Sequence, residues 1–312
     1  TLFRSAFSGI EQPVIWIRPC SGRISTSGVL SVAGISICWS IRSVVGESSK
    51  SGPFPVDVLE PSGEGAIFSV SQRHVNHLTM AIKTILVPYD FSDCATDALR
   101  VAAKIARRTG ALIDVVHLYE QMTDFHTENQ KIRDDIEARL EQVPELPFLR
   151  GVELKKFMLR QLSLNEIFKN ERLQQADLIV MGSHGATGWR GIVGSNTQRI
   201  VRQAPMPVLV IKHHVDDFEV GDVVFASNFS DQDVEKFEAF VPMLELFEPK
   251  VHLLKVNTPR NFERSEDSHK AIDRFLQRHE LKKFTATIYN DLSIEEGILN
   301  FAKGIDADMI AM

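Results

Sequence analysis

ADLIVMGSHGATGWRGIVGSNTQRIVRQAPMPVLVIK, residues 176–212, is the stretch from which the fold is read. Leu178–Met181 and Val208–Ile211 are short runs of Leu, Ile, Val and Met without polar alternation. Strands buried on both faces of a parallel sheet read this way. Between them stand Gly182, Gly185, Gly188, Gly191 and Gly194, which carry no side chain to hold a ligand off the backbone. Ser195 and Asn196 fall where a helix would start, and Gln198 follows Ser195 by three residues, as in a capping box. A strand, a bare loop and a helix N-terminus together offer unpaired N–H groups and partial positive charge to an anion. The stretch is therefore expected to cradle a phosphate. A linker with no ligand is the competing reading, and five glycines in one loop between two buried strands weigh against it. No Gly-Lys-Ser/Thr follows, no G-x-G-x-x-G marks the turn, and Gly-x-Ser-x-Gly is absent. Those absences set aside a Walker loop, a dinucleotide fingerprint and a hydrolase elbow.

The rest of the chain bounds what such a loop can belong to. At 312 residues there is room for two ordinary domains, and 44% apolar with 24% charged residues is a globular composition. A net charge of −6 argues against a nucleic-acid surface. Cys20, Cys38 and Cys94 give neither metal-ligand spacing nor a disulfide framework, which suits a reducing, cytoplasmic setting. His213 and His214 are adjacent, so they do not share a face, and a solvated strand end is expected there.

Residues 1–79 read differently from the remainder, with 11 charged residues against 65 in the following 233. They are expected to be a non-domain extension, disordered or translated from upstream, with Met80 as the start. The run Gly28–Ile41 is apolar but short for a bilayer. From Thr84 the pattern becomes regular. Ile85–Val87 reads as a buried strand ending at Pro88, followed by a turn through Asp90 with Ser92 or Asp93 as N-cap. A helix to Thr109 is closed by Gly110. Leu112–Tyr119 is a second strand, Thr127–Gln142 a charged helix broken by Pro144–Pro147, Val152–Leu159 a third strand and Ser163–Arg172 a helix. The fold class expected is α/β, an open parallel five-stranded sheet with helices on both faces.

After Val215–Glu219, read as a polar linker, the pattern begins again. Phe-Ser-Asp recurs at 91–93 and 229–231, Lys250–Val256 answers Leu112–Tyr119, and Ala307–Met312 answers Ala176–Met181. One α/β unit is duplicated. Domain 1 is expected over 80–214 and domain 2 over 220–312, the second read as truncated before its own glycine loop.

ILVPYDFSD at the first strand, VVHLYE at the second and IVMGSHGATG with GSNTQRIVRQAPMPVLVIK together resemble the universal stress protein family, as a tandem pair from Met80 onward. The resemblance implies the duplicated fold of the adenine nucleotide alpha hydrolase-like, Rossmann-like class. It also implies ATP, alone or with Mg2+, across the carboxyl ends of the strands. By position, Pro88 and Asp90 would lie near adenine and ribose, and the Leu118 backbone would contact adenine. Met181, Gly182, His184, Gly185, Gly194, Ser195 and Asn196 would surround the phosphates. In nucleotide-binding members the loop runs Gly, two residues, Gly, nine residues, Gly-Ser/Thr, and here eight residues separate Gly185 from Gly194.

The resemblance implies that hydrolysis is slow or absent, and the sequence places no general base or metal carboxylate pair for it. The second copy has Ala226-Ser227-Asn228 in place of Pro88-Tyr89-Asp90, so a degenerate partner domain is expected. An ATP-binding stress-response protein leads, with a nucleotide-free interaction module as the alternative. An ATP-pyrophosphatase would need Ser-Gly-Gly-x-Asp-Ser after the first strand, which Pro88–Asp93 does not supply. Partners are expected to be the nucleotide itself and a second domain or subunit paired through Val208–Ile211, with neither nucleic acid nor membrane.

Overall fold

Alternate residues of each buried strand go to opposite faces, and that alternation sorts the whole core. The computed structural model describes residues 82–119, 126–160, 170, 173–183, 195–212, 214–215, 217–279 and 281–312, with the backbone of four short strands in the N-terminal region. Those four are β1 (Val14–Ile17), β2 (Ser27–Val32), β3 (Ile35–Ser40) and β4 (Val58–Leu59). Domain 1 holds β5 (Thr84–Pro88), α1 (Asp93–Thr109), β6 (Leu112–Tyr119), α2 (His126–Gln142), β7 (Leu154–Arg160), β8 (Leu178–Gly182), α3 (Ser195–Gln203) and β9 (Val208–Ile211). Domain 2 holds β10 (Asp222–Ala226), α4 (Asp231–Phe247), β11 (Lys250–Asn257), α5 (Ser265–Leu276), β12 (Phe284–Asn290), α6 (Ile294–Gly304) and β13 (Met309–Ala311). The helix expected over Ser163–Arg172 lies outside the described residues.

In domain 1 the order β7-β6-β5-β8-β9 is parallel throughout. Domain 2 repeats it as β12-β11-β10-β13, also parallel. The strand order reverses beside β5 in the first sheet and beside β10 in the second, and ligands of open α/β sheets sit at such a crevice. All these strands belong to one eleven-stranded sheet, in which β9 and β13 are not hydrogen-bonded to each other. Strand β1 lies between them, parallel to β9 with Val14 opposite Val208, and antiparallel to β13 with Ile17 opposite Met309. Val208–Ile211 was expected to join domains, and here it reaches the second sheet through that intervening strand.

On one face, Ile85, Val87, Ile113, Val115, Leu209 and Ile211 pack with α1 and α2. The same cluster runs on without a break into Val223, Phe225, Leu253, α4 and α5 of domain 2. On the other face the core is split: Leu86, Val116, Ile179, Met181 and Val210 meet α3, while Val224, Leu254 and Val256 meet α6. The segment joining the domains contributes to the shared face. Val215, Phe218 and Val220 are buried, and Phe218 meets Phe247 of α4 edge-on at 5.2 Å between ring centroids. The expected polar linker is thus an apolar strap with acidic residues facing out. Those acids are held by α1: Lys104 bonds Asp217 and Glu219, and Arg108 bonds Glu219. The Arg108 guanidinium keeps the exposed Glu219 carboxyl below the usual carboxylate range, though exposed pairs of this kind add little stability.

The duplication extends to capping. Ser92 accepts a hydrogen bond from Ala95 N at 3.1 Å and caps α1, and Ser230 caps α4 in a capping box with Asp233. Gly110 ends α1 in the left-handed conformation, φ 74°. Asp177, ahead of β8, accepts the backbone N–H groups of Lys83 and Thr84 at 2.8 and 2.9 Å. Asp308, ahead of β13, does the same for Gly221 and Asp222 at 2.8 and 3.0 Å. Each aspartate thereby sets where its domain's first strand begins relative to its fourth. Truncation leaves two donors without that acceptor, so Asp177→Ala is expected to lower unfolding free energy in urea by about 1–3 kcal/mol. Asp177→Asn, which retains one acceptor oxygen, should lose less. An alanine variant with an unchanged midpoint and slope would rule the role out.

Candidate functional site

Parallel strands bring their carboxyl ends together, so Pro88, Tyr119, Gly182 and Ile211 end at the same rim of the first sheet. Helix α3 starts at that rim as well. Thr197, buried in its first turn, donates its hydroxyl to the carbonyls of Gly182 at 3.2 Å and Ser183 at 3.3 Å. The Ser183 N–H in turn donates to the carbonyl of Ile211 at 2.9 Å. The N-terminus of α3, the positive end of its dipole, is thereby tied to the end of β8.

Of the residues expected to bind, Pro88 is half-buried at the end of β5, Asp90 is exposed just beyond it, and Leu118 is half-buried near the end of β6. Met181 is buried and packs with the α3 face. Ser195 and Asn196 open α3, with their side chains outside the described residues. His184, Gly185 and Gly194 lie outside them too. Gly182 ends β8 against α1. A Cβ there would stand 2.6 Å from Cys94 Sγ and 2.9 Å from the Cys94 carbonyl carbon and oxygen. The missing side chain makes room for α1 against β8.

The turn carrying Asp90 is held from several sides. Asp90 Oδ1 accepts the Ser92 N–H at 3.1 Å, the turn-forming bond that suits aspartate to such positions. Tyr89 N donates to the Val116 carbonyl at 2.8 Å, and its hydroxyl lies 3.1 Å from Thr96 Oγ1. His117 Nδ1 donates to the Tyr89 carbonyl at 2.7 Å. Burial lowers the His117 pKa from its ordinary value, against the raising influence of that bond and of Asp90, and the carbonyl partner calls for a proton on Nδ1. Phe91 sits at φ +63°, a left-handed conformation costly for a bulky residue. None of Phe91, His117 and Thr197 stood out in the sequence as a site residue. The one available signal was the recurrence of Phe-Ser-Asp, since Phe229 is left-handed as well, at φ +55°.

At the corresponding rim of domain 2 the residues differ and pack against one another. Val256 stands where domain 1 has Leu118, and a Cβ on Gly297 of α6 would lie 2.5 Å from Val256 Cγ1. Lys255, buried where domain 1 has His117, donates to Glu263 at 2.6 Å. Asn257 Nδ2 donates to the Glu263 carbonyl at 3.2 Å. Among the described residues no three His, Cys, Asp or Glu side chains gather as metal ligands. His214 pairs with Asp97 at 2.6 Å, which gives that half-exposed ring a partner on α1. Among the described residues no helix is long and apolar enough to cross a membrane.

Comparison with known proteins agrees with this frame. The family model described as the universal stress protein family matches residues 81–212. The protein named "Universal stress protein in QAH/OAS sulfhydrylase 3'region" of Thermus aquaticus is 36% identical over 136 residues, 42% of this chain and 98% of its own. A universal stress protein structure from Archaeoglobus fulgidus DSM 4304 covers 72% of this chain and 84% of its own, at 19% identity and a TM-score of 0.55. That likeness reaches past domain 1 and is one of fold. A universal stress protein solved in complex with cAMP matches over 43% of this chain and 99% of its own, at 20% identity and a TM-score of 0.35, and its ligand belongs to that protein. With nearly the full length of a relative matched at better than a third identity, the chain belongs to the universal stress protein family.

Proposed function

We propose that the protein is a cytoplasmic stress-response protein whose first domain, residues 80–214, binds ATP at the carboxyl rim of its sheet with little or no hydrolysis. Residues 220–312 form a degenerate partner domain. The observation that supports this most is the position of Asp90. Its exposed carboxylate stands at the end of β5, on the rim where α3 starts beyond β8 and where the strand order reverses. A carboxylate there can accept ribose hydroxyls, Pro88 and Leu118 offer half-buried apolar surface to a base, and the α3 N-terminus faces the phosphates. These groups fit an adenine nucleotide, alone or with Mg2+, and none of them is placed to activate water. What the nucleotide would supply is a state to be sensed, bound or unbound.

Asp90→Ala removes acceptors that bind hydroxyls through charge-assisted bonds, so affinity for a labelled ATP analogue is expected to fall roughly tenfold or more. Asp90→Asn, the residue domain 2 carries as Asn228, should lie between. Equal affinity across the three proteins in equilibrium titration would remove Asp90 from the site. A second reading, a nucleotide-free interaction module, is favoured by one observation: Gly182 answers to packing against Cys94. The same titration separates the two, because the module binds no analogue in any variant.

A further inference from the structure

Among the described residues of this rim Phe91 alone has a left-handed backbone, and what holds it comes from another element. The Arg139 guanidinium carbon of α2 lies 4.0 Å over the Phe91 ring centroid. His117 approaches the same ring at 4.8 Å and Tyr89 meets it edge-on at 5.2 Å. We propose that Arg139 is the positioning residue of the nucleotide turn: by covering Phe91 it holds residue 91 left-handed and Asp90 turned outward. The proposal rests on the nucleotide reading only for its consequence on affinity; its structural half stands alone.

Three observations carry it. First, a left-handed phenylalanine does not persist unless its surroundings over-determine it, and the Asp90–Ser92 bond that shapes the turn spans that residue. Second, α2 presents Arg139 from an anchored stretch. Ile136 and Leu140 beside it are buried in the core, and Glu141 pairs with Lys156 of β7 at 2.7 Å. Third, domain 2 lacks the device. Phe229 has the same backbone conformation but is buried, with its ring 5.2 Å from Phe275 of α5 and 6.2 Å from Phe225. There the strained turn is locked into an aromatic core, and the half-exposed cation-covered form occurs only in the domain that keeps the aspartate.

The test is a double-mutant cycle on the full chain with Arg139→Ala, Phe91→Asn and both. Asparagine enters the left-handed region readily and has no ring to be covered. Two quantities are read: affinity for a labelled ATP analogue, and the amide hydrogen-exchange rate of Ser92, whose N–H bonds Asp90. Arg139→Ala alone is expected to weaken affinity and speed Ser92 exchange by about three- to fivefold each, the scale of an exposed cation–π contact. In the Phe91→Asn background the same change should do neither, since the pair acts as a unit. Equal effects of Arg139→Ala in both backgrounds, or none on Ser92 exchange, would overturn the proposal. A wild-type protein that binds no analogue brings down the nucleotide reading by itself, and Ser92 exchange then decides the positioning role.

Discussion

Phe218→Ala is expected to cost about 3–5 kcal/mol of stability in urea unfolding, the range for emptying a fully packed aromatic site. Phe218 is 2% exposed and lies in the segment between the two sheets. The cluster it joins holds α1 and β9 from domain 1 together with β10 and α4 from domain 2. Loss of the ring removes the contact with Phe247 and opens a cavity lined by groups from both domains. A single transition should therefore broaden or divide as domain 2 loosens first. Phe262→Ala serves as the comparison, because Phe262 is 73% exposed and surface truncations of this kind change stability by less than about 0.5 kcal/mol. If both substitutions shifted the curve equally, the joining segment would not be part of the core.

Gly182→Ala is the second large effect. The added methyl would meet not only the Cys94 thiol but the backbone carbonyl of the first turn of α1. A flexible side chain can swing away from a contact of this kind. A helix backbone capped by Ser92 and packed by Ala95, Ala98 and Leu99 cannot. The expected loss is about 2–3 kcal/mol, in the range of overpacking in a close-packed interior. Since α1 begins directly after the Asp90 turn, the shift should also weaken nucleotide affinity. Cys94→Ala in the same chain removes the sulfur but not the carbonyl, so it should restore only part of the stability. Full restoration would place the conflict at the thiol alone.

What could be read in the sequence was local and periodic. The strands Leu112–Tyr119 and Val208–Ile211 appear with the expected bounds, because short runs rich in Val, Ile and Leu bounded by turn residues have few alternatives. Ser92, Gly110 and the repeated Phe-Ser-Asp were legible for the same reason: caps and turns are written in adjacent residues. Contacts between distant elements were not. Arg139 looks like one more charge on a charged helix until α2 is laid beside the Asp90 turn. Thr197 matters only once α3 meets the end of β8. The strap was misjudged because Asp217 and Glu219 alternate with Val215, Phe218 and Val220, and the acids dominate a reading by polarity. Gly182, read as the first glycine of the loop, is the last residue of β8 and lies against Cys94, and a glycine that admits a helix looks in sequence like one that admits a phosphate.

Binding stoichiometry of a labelled ATP analogue to the intact chain tests the account most directly. An exposed carboxylate at one rim, and a second rim that has Asn228 in its place, α6 close on Val256 at Gly297 and Lys255 paired with Glu263, predict one site per chain, with Asp90→Ala weakening it and Asn228→Ala leaving it unchanged. Two equivalent sites, or no binding at millimolar analogue by a protein whose unfolding transition is intact, would contradict it.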